Sequence, residues 1–185
     1  ALLLLVPLES ALVAPTERVV MTAGEIDAPP EVVWRHVISF PDIEEPMTWV
    51  FDLGIATPIG AHIEGEGEGA VRHCRFTTGD FVEPITAWDP PHRLAFDVTE
   101  QPPPMKELSP WEGVSPPHLD DFMRSRRGEF RLVRLPNGGT RLEGRTWYAL
   151  DIHPGTMWTP WSDALVHAIH RRVLRHIRRL SERGQ

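Results

Sequence analysis

The chain ends in one long amphipathic helix, which limits the folds it can adopt. Thr159 is a suitable N-cap, Pro160 suits the first helical position, and Asp163 suits the first turn of such a helix. At about 100° per residue, one face collects the apolar side chains together with His176: Trp158, Trp161, Leu165, Ile169, Val173 and Leu180. The opposite face collects His167, His170, Arg171, Arg175 and Arg178. We therefore expect this helix to pack its apolar face on another layer and to show its arginines to water.

That other layer is predicted to be an antiparallel sheet. Strand-like segments lie at about 17–27, 55–64, 69–78, 80–88, 92–100, 126–135 and 140–151. Turn signals between them include "GEGEG", "TTGD", "DPP" and "PNGG". The stretch "PPEVVWRHVISF" predicts a short helix after the first strand. The pattern predicts an α+β fold: a curved antiparallel sheet of about seven strands around the long C-terminal helix.

Length and composition agree with one soluble-type domain. The chain has 185 residues and 41% hydrophobic residues, which is enough for a sizeable core. Its single cysteine excludes an internal disulfide framework and an all-cysteine zinc site.

The two ends of the predicted domain differ from its body. Residues 1–16 form a hydrophobic segment and linker, "ALLLLVPLESALVAPT", in front of a domain at 17–185. The apolar run is too short to cross a bilayer by itself. It fits the end of a membrane helix, the core of a signal peptide, or an arm packed on the domain. The proline-rich segment 101–125 is of a length that is typical of a lid or of disorder.

Charge is unevenly distributed along the chain. Residues 1–121 hold 21 acidic and 6 basic side chains, whereas residues 122–185 hold 5 and 13. The net charge of −7 argues against a dedicated nucleic-acid binder, so no nucleic acid is expected as a partner. The arginine-rich helix face is either a solvated surface or a contact for anionic lipid.

Several motifs resemble the START-like (SRPBCC) superfamily, and in particular its polyketide cyclase/dehydrase-like helix-grip domains. They are "EIDAPPEVVW", "GEGEGAVR", "ITAWDPPHRLAF", "GGTRLEG" and the closing helix, and the resemblance covers about residues 17–182. The resemblance implies a deep cavity between a concave sheet and the last helix. It leaves function open, because the fold carries ligand transport, cyclisation, hydrolysis and chaperone activation. The chain also resembles a group in which this domain follows membrane-spanning helices.

The adjacent His73 and Cys74 raise the question of a catalytic pair. Successive side chains of a strand point to opposite faces, so these two cannot act together. We expect Cys74 on the cavity face as a small buried apolar residue, with a ligand-contacting thiol and a nucleophile as the alternatives. Arg72, on the same face, is expected at the cavity rim.

Other polar residues are expected to have structural or solvent roles. His167 and His170 lack an obvious third metal ligand, and we expect no metal and no cofactor. His176 fits a hydrogen-bonded core histidine. His118, Asp120 and Asp121 fit a solvated loop, Glu143 and Arg145 fit the convex face, and at most one of Glu83 and Thr86 can enter the cavity.

Aromatic residues are abundant where the cavity is expected. The predicted cavity set is Trp49, Phe51, Arg72, Cys74, Phe76, Phe96, Trp111, Phe130, Tyr148, Trp158, Trp161 and Leu165, with Tyr148 and Arg72 as polar anchors. Such a set is typical of a small-molecule site.

The leading hypothesis is binding of a hydrophobic or amphipathic small molecule, with lipid as one candidate. A cyclase or dehydratase-like enzyme and a protein-interaction or chaperone-modulating domain are the alternatives. The expected location is the cytoplasm or the cytoplasmic side of a membrane.

Overall fold

The computed structural model describes residues 17–46, 54–105, 123–151 and 155–183. Seven strands and two helices follow one another as β1 (Arg18–Ile26), α1 (Pro30–Ile38), β2 (Pro58–Glu64), β3 (Val71–Phe76), β4 (Gly79–Asp89), β5 (Arg93–Asp97), β6 (Met123–Arg134), β7 (Thr140–Leu150) and α2 (Gly155–Arg183). This is the predicted α+β helix-grip fold, with a small helix after the first strand and a long helix at the end.

The strands form one antiparallel sheet in the order β1-β7-β6-β5-β4-β3-β2. Strands β2 to β7 are consecutive neighbours, so each of β3 to β7 pairs with the strand that precedes it in the chain. Strand β1 joins the far side of β7, from Arg18 opposite Tyr148 to Ile26 opposite Thr140. The N-terminal strand thereby closes the sheet beside the hairpin whose turn is "PNGG".

The core lies between the concave face of the sheet and the two helices. Alternation along the strands turns one set of side chains inward, and the apolar stripes of α1 and α2 cover that set. The residues that lose all or nearly all solvent exposure include Val33, Val37, Leu94, Leu142 and Ile177. These five belong to one apolar cluster, which includes residues of all seven strands and both helices.

The start of α2 differs from the sequence prediction. The helix begins at Gly155, so Thr159 is not its N-cap and Pro160 lies inside it. Trp158 is 40% exposed and Trp161 is 71% exposed, whereas Ser162 and Val166 are buried. The prediction that the two tryptophans face the cavity is therefore wrong.

Polar contacts with the sheet explain this rotation of α2. The Tyr148 hydroxyl lies 3.0 Å from Ser162 Oγ and donates to Asp163 Oδ1 at 2.6 Å. Arg18 on β1 also donates to Asp163, at 2.7 Å. These bonds turn the Ser162 side of the helix toward the sheet and leave Trp161 facing outward.

Candidate functional site

A cavity of about 130 Å³ lies between the concave face of the sheet and α2. Strands β3 to β6, the middle of α2 and the segment around 101–104 contribute to its wall. Most of the wall is apolar, and its phenylalanine side chains are Phe76, Phe81, Phe96 and Phe130. An apolar recess with few polar groups is the usual form of a small-molecule site.

Two glycines help to make room for the aromatic rings of this wall. Gly128 pairs with Phe96 across β5 and β6, and Gly144 pairs with Phe130 across β6 and β7. A Cβ on Gly128 would lie 2.4 Å from Phe96 Cζ, and a Cβ on Gly144 would lie 3.6 Å from Phe130 Cε1. Each phenylalanine therefore lies over a backbone that carries no side chain. This alternation of ring and glycine shapes the concave floor.

A buried ion pair forms the polar part of the wall. Arg72 on β3 and Glu83 on β4 are cross-strand partners, and their side chains form a salt bridge in the interior. Arg72 is 1% exposed, and its Nε donates to the carbonyl oxygen of Ile38 at 3.2 Å. The expectation that Arg72 lies at the rim is wrong, because Glu83 and the carbonyl compensate its charge and hydrogen-bonding capacity inside.

Three aromatic rings surround the same guanidinium. The Arg72 Cζ atom lies 5.8 Å from the ring centroid of Phe40, 5.6 Å from that of Phe96 and 5.7 Å from that of Phe130. These are cation–π distances, and the attraction strengthens when the cation is desolvated. The rings hold the charged group in a fixed place on the cavity wall.

Burial shifts the protonation equilibria of this pair. Desolvation raises the pKa of the Glu83 carboxyl, and the neighbouring Arg72 guanidinium offsets that rise only in part. For Arg72, desolvation alone would lower the pKa, but the Glu83 carboxylate outweighs it and the pKa is raised. The pair thus places a permanent cation beside a carboxyl that holds its proton more tightly than an ordinary glutamate.

Cys74 also lies on the cavity wall, two residues after Arg72 on β3. Its side chain is 7% exposed and faces the concave side, as the strand alternation predicted. Desolvation, reinforced by the negative charge of Glu83, raises the pKa of the thiol to about 12. The thiol is therefore protonated near neutral pH, which is the condition of an unreactive, structural cysteine.

His170 is a polar wall residue that the sequence reasoning placed wrongly on the solvent face. Its Nδ1 lies 3.0 Å from Thr22 Oγ1, and its Nε2 lies 2.8 Å from Thr146 Oγ1. Desolvation, with a smaller effect from the adjacent His167, lowers the pKa of His170 to about 4. A signal was available, because His170 is four residues after Val166 and three before Val173, both buried.

Tyr148 is buried but is not part of the cavity wall. It packs in a second apolar cluster with Val20, Met123 and Val166, and its hydroxyl is taken up by Ser162 and Asp163. The expectation that Tyr148 is a ligand anchor is therefore not met. Its hydroxyl instead fixes α2 at Ser162 and Asp163 against the sheet.

The structure thus brings together part of the predicted cavity set. Those in the wall are Arg72, Cys74, Phe76, Phe96, Phe130 and Leu165. Trp49, Phe51 and Trp111 lie outside the described residues, as do His118, Asp120 and Asp121.

Glu83 belongs to the wall whereas Thr86 is exposed. His176 is buried and lies 3.1 Å from the carbonyl oxygen of Pro41, as expected of a core histidine.

Glu143 and Arg145 form part of an ion-pair network on the convex face. Arg145 pairs with Glu143 at 3.0 Å and approaches Glu129 at 3.7 Å, and Glu129 also pairs with Arg93 at 2.8 Å. Desolvation would raise the pKa of Glu129, but Arg93 and Arg131 outweigh it and the pKa is lowered. These charges therefore have partners outside the cavity.

Fold and cavity define a helix-grip domain with an apolar interior site. The sequence model of the family "Polyketide cyclase / dehydrase and lipid transport" matches residues 17–182. The chain belongs to this family. A search of curated proteins gave no match.

Solved structures show the same fold at low sequence identity. A protein from Mesorhizobium loti is 15% identical, with a TM-score of 0.55 over 91% of this chain and 99% of that chain. The aromatase/cyclase ZhuI from a Streptomyces species is 16% identical, with a TM-score of 0.57 over 91% of this chain and 95% of that one. The di-domain aromatase/cyclase BexL is 14% identical, with a TM-score of 0.56 over 90% of this chain and 50% of that chain. At these identities the similarity shows the fold alone.

Proposed function

We propose that this domain binds a hydrophobic or amphipathic small molecule in the cavity between the sheet and α2. The observation that carries the proposal is an aromatic and aliphatic wall built around one buried ion pair. Apolar cavities on the order of 150 Å³ admit a benzene-sized guest, and the cavity described here is about 130 Å³. The buried part of the ligand is accordingly about one ring or a short alkyl segment.

Arg72 supplies a polar anchor for such a guest. Its known bonds, to the Ile38 carbonyl and to Glu83, use only some of the guanidinium N–H donors. A carbonyl or carboxylate oxygen on the ligand would accept from the others, while its apolar part packs on Phe96 and Phe130. This arrangement favours an amphipathic molecule with an oxygen at its buried end.

Native mass spectrometry of the purified protein, followed by organic extraction, tests the proposal. Leu165 lies on the cavity wall, and its neighbour Ala164 is exposed on the same helix. Leu165→Trp should fill the cavity and remove the bound mass, whereas Ala164→Trp should keep it. If the wild-type protein carries no ligand and takes up none from a lipid extract, the proposal is wrong.

An enzyme acting on an apolar substrate in the same cavity is the second candidate. It is favoured by the titratable groups of the wall, Glu83 and His170, whose pKa values are both displaced by burial. The family includes cyclases and dehydrases by its description, and ZhuI and BexL are named as aromatase/cyclases. Glu83→Gln should then abolish conversion of the extracted ligand while leaving its binding measurable. Unchanged ligand after long incubation with the wild-type protein would favour carriage instead.

The protein-interaction alternative predicts a filled interior and an exposed apolar patch. Met157, Trp158 and Trp161 are exposed at the start of α2. The cavity, however, is the feature that this alternative does not account for. The small-molecule proposal is therefore preferred.

A membrane remains a proposed partner, with the domain facing the cytoplasm. Arg171, Arg175 and Arg178 are exposed on α2. Arg178 pairs with Glu182 at 2.9 Å, so part of this charge is already compensated. In the part of the chain that the structure describes, no helix has the length and apolar character to cross a bilayer. Co-sedimentation that does not increase with anionic lipid content would refute a role for the arginine face.

A further inference from the structure

Two histidines and a glutamate meet on the convex face of the sheet, on the side away from the cavity. His62 on β2 and His73 on β3 are direct cross-strand partners. Glu64 lies two residues after His62 and therefore points to the same face. Arg72 and Cys74, which flank His73, point to the opposite face and into the cavity wall. The three convex side chains thus form a cluster that the ligand site does not use.

The geometry of the cluster is close to that of a metal site. The imidazole rings of His62 and His73 are nearly parallel, with centroids 4.9 Å apart and planes inclined by 10°. His73 Nε2 lies 4.0 Å from Glu64 Oε1. One ligand atom from each of the three residues can be chosen so that all lie within 4.8 Å of one another.

Only small side-chain movements separate this arrangement from coordination. Zinc binds imidazole nitrogen and carboxylate oxygen at about 2.0–2.2 Å, which places two tetrahedral ligand atoms roughly 3.3 Å apart. His62 is exposed, and the Glu64 side chain is 73% exposed, so both can rotate without disturbing the core. His73 is 23% exposed and is the most firmly held of the three. We therefore expect side-chain rotation to bring the three ligand atoms to coordination distance.

The surrounding chain favours a cation at this position. The turn that joins β2 to β3 carries Glu66 and Glu68, both exposed, immediately beyond the cluster. Arg75 lies on the same face as His73, but its side chain pairs with Asp42. The sheet fixes the spacing of the two histidines, because β3 is paired on both sides, with β2 and β4.

We propose that His62, Glu64 and His73 bind one divalent transition-metal ion of the zinc class. Two imidazoles and one carboxylate are ligands that zinc accepts, and water completes the tetrahedron. Calcium is not favoured, since it takes six to eight oxygen ligands. The ion joins the edge strand β2 to β3 and stabilises the folded state by binding to it.

Isothermal titration of tag-free, chelator-treated protein with ZnCl₂ tests the proposal. We expect saturable uptake with one ion per chain. Loss of a residue that only orients a metal ligand typically costs about 10–100-fold in affinity, so His62→Ala and His73→Ala should each weaken binding at least about tenfold. Glu64→Gln should also weaken it. His92→Ala, which removes an exposed histidine from the turn after β4, is the matched control and should bind as the wild type does.

Two further readouts separate coordination from adventitious binding. Co²⁺ in place of Zn²⁺ should give the visible absorption of a tetrahedral site in the wild type and in His92→Ala, but not in His62→Ala. Circular dichroism checks that each variant is folded, which is expected because His62 and Glu64 are exposed and His73 is not a member of the apolar core. The proposal is overturned if the wild type shows no saturable 1:1 uptake. Uptake that is unchanged in a His62→Ala/His73→Ala double variant overturns it as well.

Discussion

His170 should make the stability of the domain depend on pH in the mildly acidic range. The ring lies between β1, β7 and α2, and both of its nitrogens contact threonine hydroxyls, those of Thr22 and Thr146. Its pKa is lowered from 6.5 to about 4, mainly by desolvation. Between these two values the folded protein keeps the ring neutral while the unfolded chain protonates it. The unfolded state then binds more protons, so the free energy of unfolding is unaffected by this group above about pH 6.5 and decreases as the pH falls toward 4.

The size of the effect follows from the same pKa values. One pKa unit corresponds to about 1.4 kcal/mol, so the displacement from 6.5 to about 4 amounts to about 3 kcal/mol in total. Between pH 7 and pH 5 the loss is about 2 kcal/mol, because titration of the folded state has barely begun at pH 5. For a urea dependence of about 2 kcal/mol per molar, the unfolding midpoint should fall by about 1 M.

Urea unfolding at pH 7 and pH 5 measures this contribution. His36 and His176 also have lowered pKa values, chiefly from desolvation, and contribute with the same sign. The comparison is therefore between the wild type and His170→Gln, which keeps a polar side chain but cannot titrate. His170→Gln should lose about 2 kcal/mol less than the wild type over this interval. His92→Gln, at an exposed position, should behave as the wild type. If the wild type and His170→Gln lose equal free energy, the ring is not held neutral in the fold.

Three further changes probe the cavity wall. Gly128→Ala should destabilise the domain by about 1–3 kcal/mol, because the added Cβ overpacks against the ring of Phe96. A Cβ added at Gly24 meets nothing within 4 Å, so Gly24→Ala should destabilise the domain less in the same thermal-melt assay. Arg72→Met leaves the buried Glu83 carboxyl without its partner and should lower the free energy of unfolding by about 3 kcal/mol or more. Arg75→Ala, which breaks the exposed pair with Asp42, should lower it by less than about 1 kcal/mol. Equal losses of the two variants in chemical denaturation would contradict the buried-pair account. The pKa of the Cys74 thiol is raised to about 12, so very little reactive thiolate is present at pH 8. The thiol should therefore react with a disulfide reagent on the order of a thousand-fold more slowly in the native than in the denatured protein. Comparable rates would show that the thiol is exposed.

The strands could be interpreted from sequence because their period is strict. Alternation assigned Cys74, Phe96 and Phe130 to the concave face, and the structure places all three in the cavity wall. The same alternation excluded a pair formed by His73 and Cys74. These inferences need only the position of a residue within its strand, which hydrophobic pattern and turn residues define well.

The rotation of α2 and the depth of Arg72 could not be obtained in this way. The rotation depends on hydrogen bonds to Asp163 from Arg18 and Tyr148, and Arg18 is 145 positions away in the sequence. Arg72 can be buried only because the register of β3 and β4 puts Glu83 opposite it. Both depend on contacts between segments, so a pattern within one segment could not predict them.

Titration calorimetry with a neutral single-ring aromatic molecule, phenol, is the most direct test of the ligand-binding cavity. Wild type and Ala164→Trp should bind one equivalent, because position 164 is exposed on the outside of α2. Leu165→Trp should reduce the affinity at least about tenfold, since a larger side chain at the wall occupies the space that the guest needs. Absence of binding to the wild type, or equal binding to the two tryptophan variants, would contradict a cavity that receives the ligand.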